Sequence, residues 1–178
     1  MSGYSEVMAG SDVRLCFVGD SYTLGVGDPT GAGWVGPVAA AAREQGHQVT
    51  FYNLGVRRDT SSRSAIAGSL RHAAGYRSTD IGAVRADAHN AGWAALAIGP
   101  PPVADLAATE RARVSCAGMA RVCRGRDVPF LDVGADLSTD PVWVQEVAAS
   151  DGSHPSTPGY QRFARHVEPA LLQWLSGF

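Results

Sequence analysis

The sequence lacks the segments that would place a protein in a membrane, in a secretory pathway or on a nucleic acid. No apolar run approaches the roughly 18 residues that suggest a membrane-spanning helix. The first fifteen residues contain no basic stretch followed by an apolar core, so no signal peptide is visible and we expect a cytoplasmic location. The net charge is −2 and the basic residues are scattered arginines. This charge distribution does not favour binding to nucleic acid or to an anionic membrane.

Cysteine is scarce and widely spaced. The three cysteines form neither a CxxC pair nor a cluster with histidine, so we expect no metal site. Cys16 lies in an apolar run and is predicted to be a buried, reduced thiol. Cys116 and Cys123 are seven residues apart in a predicted helix, a spacing that lets them share its buried face. All three are interpreted as structural.

The order of apolar runs along the chain indicates an α/β protein. A length of 178 residues, with 45% hydrophobic residues, predicts a single domain over residues 1–178 with a sizeable core. Short apolar runs typical of buried parallel strands occupy residues 13–19, 49–55, 94–100 and 128–134. Segments with helical periodicity occupy residues 33–46, 104–127 and 157–177. This alternation predicts right-handed βαβ units and a three-layer α/β/α fold around a parallel sheet.

Two short segments at opposite ends of the chain carry residues suited to nucleophilic catalysis. The first predicted strand ends in Gly19-Asp20-Ser21, which is either an ordinary turn or a serine nucleophile at the carboxyl end of a parallel strand. Asp151 and His154 lie three residues apart just before the last helix, where Thr157 and Pro158 suit an N-cap and first helical residue. A serine nucleophile needs a base within hydrogen-bond reach, and that base needs a third group to orient it. Together the segments predict Ser21 as nucleophile, His154 as base and Asp151 as its orienting group, with Asp20 as a loop brace.

With these segments in place, the chain resembles the GDSL or SGNH hydrolases. The block Gly-Asp-Ser-x-(T/L)-x-G of that family is matched by residues 19–25, and its block Asp-x-x-His-Pro by residues 151–155. The segment "NLGVRRDTS" resembles the second block, which implies that the N–H groups of Gly55 and Ser21 form the oxyanion hole. The resemblance implies a flavodoxin-like three-layer α/β/α sheet. It also implies hydrolysis of small carboxylic esters, lipase- or esterase-like, through an acyl-enzyme on Ser21, without a metal or organic cofactor.

One block of the family is not found in this chain. Its third block, Gly-x-Asn-Asp, follows a central third strand, and its asparagine is a third oxyanion donor. Only about 30 residues separate "GVRRDTS" from "GWAALAIGP", and they contain two helical candidates, over roughly 62–74 and 80–91. Asn53, within the second strand, and Asn90, at a predicted helix end, do not match the block. A sheet that lacked its central strand would pair its first and fourth strands directly, and loss of one oxyanion donor typically costs about 100- to 1,000-fold in turnover.

The substrate is the least defined part of the prediction. Trp143, in "DPVWVQE", and Arg57, just after Gly55, are candidates for the substrate pocket, although tryptophan more often packs in the core. A small-molecule ester is the expected partner, and the oligomeric state is not indicated. One alternative is an SGNH-like binding module that keeps Ser21 and His154 but has a broken oxyanion cradle. Another is a phosphate-binding domain using "GDSYTLGVGD", a loop without the P-loop lysine.

Overall fold

A computed structural model describes residues 13–57, 90 and 92–178 of the chain. Strands and helices alternate along this part of the chain, as the apolar pattern predicts. In chain order they are β1 (Val13–Gly19), α1 (Ser21–Leu24), α2 (Val35–Glu44), β2 (Val49–Gly55), β3 (Ala97–Ile98), α3 (Leu106–Arg124), β4 (Phe130–Leu131), α4 (Gly134–Thr139), α5 (Pro141–Ala148) and α6 (Thr157–Leu175). The bounds of β1 and β2 are as predicted, whereas β3 and β4 occupy only the centres of the predicted runs.

The strands pair in parallel, which confirms the predicted α/β class. β1 pairs with β2 in a register that runs from Val13 opposite Val49 to Gly19 opposite Gly55. β3 pairs with β4, with Ala97 opposite Phe130. Within the described residues these pairs are separate two-stranded sheets. The direct pairing of β1 with β3 that a missing central strand would require is therefore not found there. The helices predicted over 62–74 and 80–91 lie outside the described residues, apart from Asn90, which is helical.

Side chains alternate across the β3–β4 pair and face two different hydrophobic clusters. Ile98 and Leu131 pack against the main core, to which α2, α5 and α6 contribute. Ala97 and Phe130 point to the opposite face, where they pack against buried residues of α3 such as Cys123. Because successive strand residues face opposite sides, this pair is covered by helices on both faces. The three-layer α/β/α arrangement follows from this alternation.

The main core is built largely by α6. Its buried side chains of the core recur mostly at intervals of three or four, with one adjacent pair, which places them on one face of the helix. They are Tyr160, Phe163, Ala164, Val167, Leu171 and Leu175. Leu15 and Phe17 of β1 pack against the same cluster from the sheet. None of the helices in the described ranges combines the length and apolarity that crossing a membrane would require.

The three cysteines differ in their exposure. Cys116 and Cys123 are buried on one face of α3, as their spacing predicts. The prediction for Cys16 is wrong, because its residue is exposed. In β1 the residues on either side of it, Leu15 and Phe17, point to the core, so Cys16 points to the opposite face of the strand.

A buried carboxylate fixes the start of α5 against α6. Asp140 accepts hydrogen bonds from the N–H groups of Val142 (3.0 Å) and Trp143 (3.2 Å), and so caps α5. Its other oxygen accepts from Arg162 Nε at 2.7 Å. Although burial alone would raise the pKa of Asp140, these hydrogen bonds and the guanidinium hold it below its ordinary value. The junction of α4 and α5 is therefore held against α6 by a charged contact.

Candidate active site

Two glycines at the ends of β1 and β2 let α1 lie directly on the sheet. Gly19 and Gly55 are partners in the strand register. A Cβ atom at Gly19 would overlap the side chain of Thr23, and one at Gly55 would collide with the backbone of Leu24. Because both positions lack a side chain, α1 lies across the ends of both strands. Ser21, its first residue, is thus held at the carboxyl edge of the parallel pair, where α/β folds place their binding sites.

The structure brings together the three residues predicted to form a catalytic triad. Ser21 Oγ lies 2.7 Å from His154 Nε2, although 133 residues separate them in the sequence. His154 Nδ1 lies 2.8 Å from Asp151 Oδ2. The other oxygen of Asp151, Oδ1, accepts the N–H groups of Ser153 (3.0 Å) and His154 (2.8 Å). Asp151 therefore both shapes the loop and orients the imidazole.

The protonation pattern of this group follows from the charge of Asp151. Hydrogen bonds from the backbone N–H of His154, and next from its imidazole, lower the pKa of Asp151 to about 2. An ionised carboxylate can only accept hydrogen bonds, so Nδ1 of His154 carries the proton. Nε2 is then the acceptor for the Ser21 hydroxyl. A base with its lone pair aimed at a serine hydroxyl can remove that proton during nucleophilic attack.

Residues on either side of Ser21 support the histidine and the nucleophile. The ring of Tyr22 lies beside the imidazole of His154, with 5.2 Å between ring centroids, and beside the indole of Trp143 at 6.4 Å. Burial raises the pKa of the Tyr22 hydroxyl. Asp20 caps α1 by accepting the N–H of Tyr22 at 2.9 Å, which confirms its predicted role as a brace. Burial raises the pKa of Asp20, although this hydrogen bond and the nearby His154 act against that rise.

The loop that carries Asp151 and His154, residues 149–156, is called the base loop below. It is held from two sides. Glu146 of α5 accepts both the N–H and the hydroxyl of Ser156 on one of its oxygens. The N–H of Ala104, in the segment after β3, donates to the carbonyl of Gly152 at 2.8 Å. The histidine is thus presented by a loop whose backbone is hydrogen-bonded to neighbouring elements.

The two predicted oxyanion donors differ in their availability. The N–H of Gly55 donates to Asn53 Oδ1 at 3.0 Å, and Asn53 Nδ2 donates to the carbonyl of Thr23 at 2.7 Å. An oxyanion bound by Gly55 would have to displace the Asn53 oxygen. Ser21 is the first residue of α1, so its own N–H has no carbonyl within the helix to bond. The assignment of Gly55 remains a prediction.

The two pocket candidates lie in different environments. Trp143 is only 1% exposed and donates its indole N–H to the carbonyl of Pro102 at 3.1 Å. It belongs to the main core and lies beside Tyr22, and a role in the substrate pocket stays a prediction for it. Arg57 is exposed just beyond β2, and a role in binding substrate stays a prediction for it. In the parts of the chain that the structure describes, no group of three or more potential metal ligands occurs.

Several residues of the site were not predicted from the sequence. The sequence suggests Asn53 only as a possible oxyanion donor, whereas its amide links α1 to β2. An asparagine two residues before a glycine at a strand end was the available signal, because asparagine commonly bonds to the backbone two residues on. Thr157 was predicted as the N-cap of α6, but Ser156 holds that position and the Thr157 hydroxyl donates to Asp28. Nothing local in the sequence indicates that contact.

Comparison with known proteins supports the fold. The sequence matches no protein-family model, and no curated protein is significantly similar to it. Solved structures do match. A lipase/acylhydrolase from Enterococcus faecalis is 18% identical, with a TM-score of 0.66, over 90% of this chain and 95% of that one. The esterase EstA from Pseudoalteromonas sp., in a structure inhibited by monoethylphosphonate, is 12% identical, with a TM-score of 0.68, over 92% and 98%.

A third similar structure is that of a protein named as a member of the G-D-S-L family. A protein of the G-D-S-L family from Desulfitobacterium hafniense is 15% identical, with a TM-score of 0.64, and the match covers 88% of this chain and 98% of that one. The chain therefore has the fold of the GDSL/SGNH hydrolases, as its motifs predict. At identities this low, the structural similarity establishes the fold alone. The chemistry depends on the residues of this chain.

Proposed function

We propose that this chain, which has the fold of the GDSL/SGNH hydrolases, is a serine esterase that cleaves small carboxylic esters. One observation carries the proposal. Ser21, His154 and Asp151 form a continuous hydrogen-bonded chain, with 2.7 Å from Oγ to Nε2 and 2.8 Å from Nδ1 to Oδ2. These are the distances and partners that an activated serine nucleophile requires. The similar structures include enzymes named as esterases and acylhydrolases, which supports the same general chemistry.

The reaction proceeds in two halves. Ser21 Oγ attacks the ester carbonyl carbon as its proton passes to His154 Nε2, and the resulting oxyanion is bound by backbone N–H groups, for which Ser21 and Gly55 are the candidates. The bond to the alcohol oxygen then breaks, and His154 returns the proton to the departing alcohol. Water attacks the acyl-serine in the second half, again giving a proton to His154. Collapse of the second intermediate restores the Ser21 hydroxyl and releases the carboxylic acid.

The positive charge that forms on His154 during the reaction lies next to the carboxylate of Asp151. The Asp151 carboxylate stabilises the imidazolium that forms in each half of the reaction. The side chain of His154 is 16% exposed and that of Asp151 is 55% exposed, so solvent screens their interaction from the side of the aspartate. The ring of Tyr22 limits the directions in which the imidazole can move. Short or polar acyl groups are the proposed substrates, because the sequence contains no long apolar segment suited to a lid.

The first experiment measures hydrolysis of p-nitrophenyl acetate and the intact mass after exposure to a fluorophosphonate. We expect the wild type to turn over and to gain one adduct, and Ser21→Ala to lose both. Ser176→Ala is the matched control, because that serine caps the far end of α6 and its hydroxyl donates to the nearby carbonyl of Gln173. A phosphonate is a fitting probe, since the similar esterase EstA is described as inhibited by one.

A second candidate function is a binding module that retains the triad but does not turn over. The engagement of the Gly55 N–H by Asn53 favours it, as does the missing Gly-x-Asn-Asp block. An adduct on Ser21 without ester turnover would indicate a competent nucleophile with an incomplete oxyanion hole, and so favour this alternative. If a folded sample shows no adduct and no turnover, the esterase is refuted.

A further inference from the structure

A buried carboxylate joins the loop after the nucleophile to the helix after the base. The loop between α1 and α2, residues 25–33, is called the nucleophile loop below. Asp28 within it is 8% exposed and accepts four hydrogen bonds. Three come from the loop itself: the Thr30 N–H (3.0 Å), the Thr30 hydroxyl (2.8 Å) and the Gly33 N–H (2.8 Å). The fourth comes from the Thr157 hydroxyl at 2.6 Å, across 129 residues of sequence.

The two residues before Asp28 make contacts with the same part of the chain. The carbonyl of Val26 accepts the hydroxyl of Tyr160 on α6 at 2.7 Å. Gly27 lies directly against the base loop, since a Cβ atom there would be 2.7 Å from the carbonyl oxygen of Pro155 and 3.1 Å from the Cβ of His154. Gly27 also has a φ of +94°, in the left-handed region that favours glycine.

Three successive residues of the nucleophile loop thus touch the segment from His154 to the first turn of α6. Only the contact of Asp28 with Thr157 joins two side chains. Burial alone would raise the pKa of Asp28, but the hydrogen bonds from Thr157, Thr30 and Gly33 hold it below its ordinary value. The carboxylate is therefore a charged acceptor, and hydrogen bonds to charged groups are the stronger and shorter ones. Such a bond resists separation of the two loops.

We propose that Asp28 and Thr157 are positioning residues, a clamp that sets the distance between His154 Nε2 and Ser21 Oγ. This inference rests on the proposed function, and it names residues that touch neither substrate nor the reacting atoms. Thr157 lies three residues after His154 with Pro155 between them, so the segment has little freedom to absorb a shift of the helix end. Movement of the base loop relative to the nucleophile loop would lengthen the 2.7 Å contact.

The test compares two threonines that donate to the same carboxylate. Thr157→Val removes the hydroxyl that crosses between the loops, whereas Thr30→Val removes one that stays within the nucleophile loop. We expect Thr157→Val to lower the rate constant of fluorophosphonate modification of Ser21 by about tenfold or more, since small misplacements of catalytic groups are costly. Thr157→Ser should restore it, and Thr30→Val should change it by less than about twofold because the loops stay joined.

A second measurement does not depend on activity. The proton on His154 Nδ1, hydrogen-bonded to Asp151, should give a downfield resonance that is absent from His154→Gln. We expect this resonance to broaden through exchange with water in Thr157→Val and in Asp28→Ala, and to persist in Thr157→Ser and Thr30→Val. A wild-type resonance in Thr157→Val would overturn the clamp, as would equal broadening in Thr30→Val.

Failure of the clamp is distinguishable from failure of the proposed function. A wild type that neither reacts with the fluorophosphonate nor turns over ester refutes the esterase, and the resonance of His154 still decides the clamp. A reactive wild type with an unchanged resonance in Thr157→Val refutes the clamp alone. If Asp28→Ala does not fold, the nearly isosteric Thr157→Val carries the test, with its fold checked by circular dichroism.

Discussion

Replacing Asp151 by asparagine should separate the two tasks of this residue. Its Oδ1 accepts two backbone N–H groups of the base loop, and its Oδ2 accepts the proton of His154 Nδ1. In Asp151→Asn the amide oxygen keeps the place of Oδ1, since only an acceptor suits two N–H donors. The amide nitrogen then faces Nδ1 and donates to it. His154 is forced into the tautomer that carries its proton on Nε2, where it donates to Ser21 instead of accepting.

The expected loss of catalytic activity in Asp151→Asn is large, and it should not be accompanied by a loss of stability. Forcing the wrong histidine tautomer in a serine triad lowers kcat by about 10⁴-fold. At 1.36 kcal/mol for each factor of ten, this corresponds to about 5 kcal/mol of lost transition-state stabilisation. The loop itself should keep its stability in Asp151→Asn. Asp151→Ala leaves both backbone N–H groups without this acceptor and should lower the free energy of unfolding by about 1 kcal/mol, as loss of a helix cap does.

Steady-state hydrolysis of p-nitrophenyl acetate and urea unfolding provide the two readouts. Asp136→Asn is the matched control, because Asp136 also lies near a histidine, with 3.7 Å to His166 Nδ1, but the other ring nitrogen of that histidine lies 3.6 Å from Asp140. We expect the control to keep its kcat. Activity of Asp151→Asn within about tenfold of the wild type would refute the tautomer argument.

The same carboxylate predicts how stability depends on pH. The folded-state pKa of Asp151, about 2, lies below the ordinary value near 4 of an unfolded aspartate. Its contribution to stability is therefore complete above about pH 4 and is lost as the pH falls toward 2. The difference in unfolding free energy between the wild type and Asp151→Ala should shrink over that window. A constant difference from pH 5 to pH 2 would contradict the assignment.

Three further predictions concern packing and thiol reactivity. Cys16 is exposed and should react rapidly with dithionitrobenzoate at pH 8 in the native protein. Cys116 should not react, because burial and Asp132 raise its pKa to about 12. Trp143→Phe loses the indole hydrogen bond and part of the core volume, so urea unfolding should show a loss of about 1–3 kcal/mol with a nearly normal fluorophosphonate reaction. Gly55→Ala would press a Cβ against the α1 backbone, so we expect a loss of about 1–3 kcal/mol together with slower modification of Ser21.

Each of these has a contrary outcome. Equal reaction of the buried and exposed thiols in folded protein would contradict the burial of α3 against the sheet. If Trp143→Phe keeps its unfolding free energy but reacts much more slowly with the fluorophosphonate, the indole contacts the substrate. A Gly55→Ala variant with wild-type stability would show that α1 does not rest on the end of β2.

Much of the fold and the three triad residues could be predicted from local sequence. The bounds of β1 and β2 follow from apolar runs that stop at glycine, and both runs are parallel strands. Parallel strands present their carboxyl ends at one edge, so a serine after β1 and a histidine before the last helix could be expected to meet. Their separation of 2.7 Å agrees with that expectation. The Asp-x-x-His spacing needed no tertiary information, because a short loop brings those two side chains together.

The tertiary structure decided what depends on neighbours distant in sequence. The exposure of Cys16 reverses what was expected of it, because burial is set by which elements cover a face and not by the residue itself. Hydrogen-bond partners also depend on the tertiary structure. The N–H of Gly55 donates to Asn53, and Asp28 accepts from Thr157, which is 129 residues away. The sequence by itself determined which side chains could carry the chemistry. Only packing across the chain determined which donors are free, which rings are covered and what holds the two loops together, since hydrogen bonds and burial are satisfied by whatever the fold brings near.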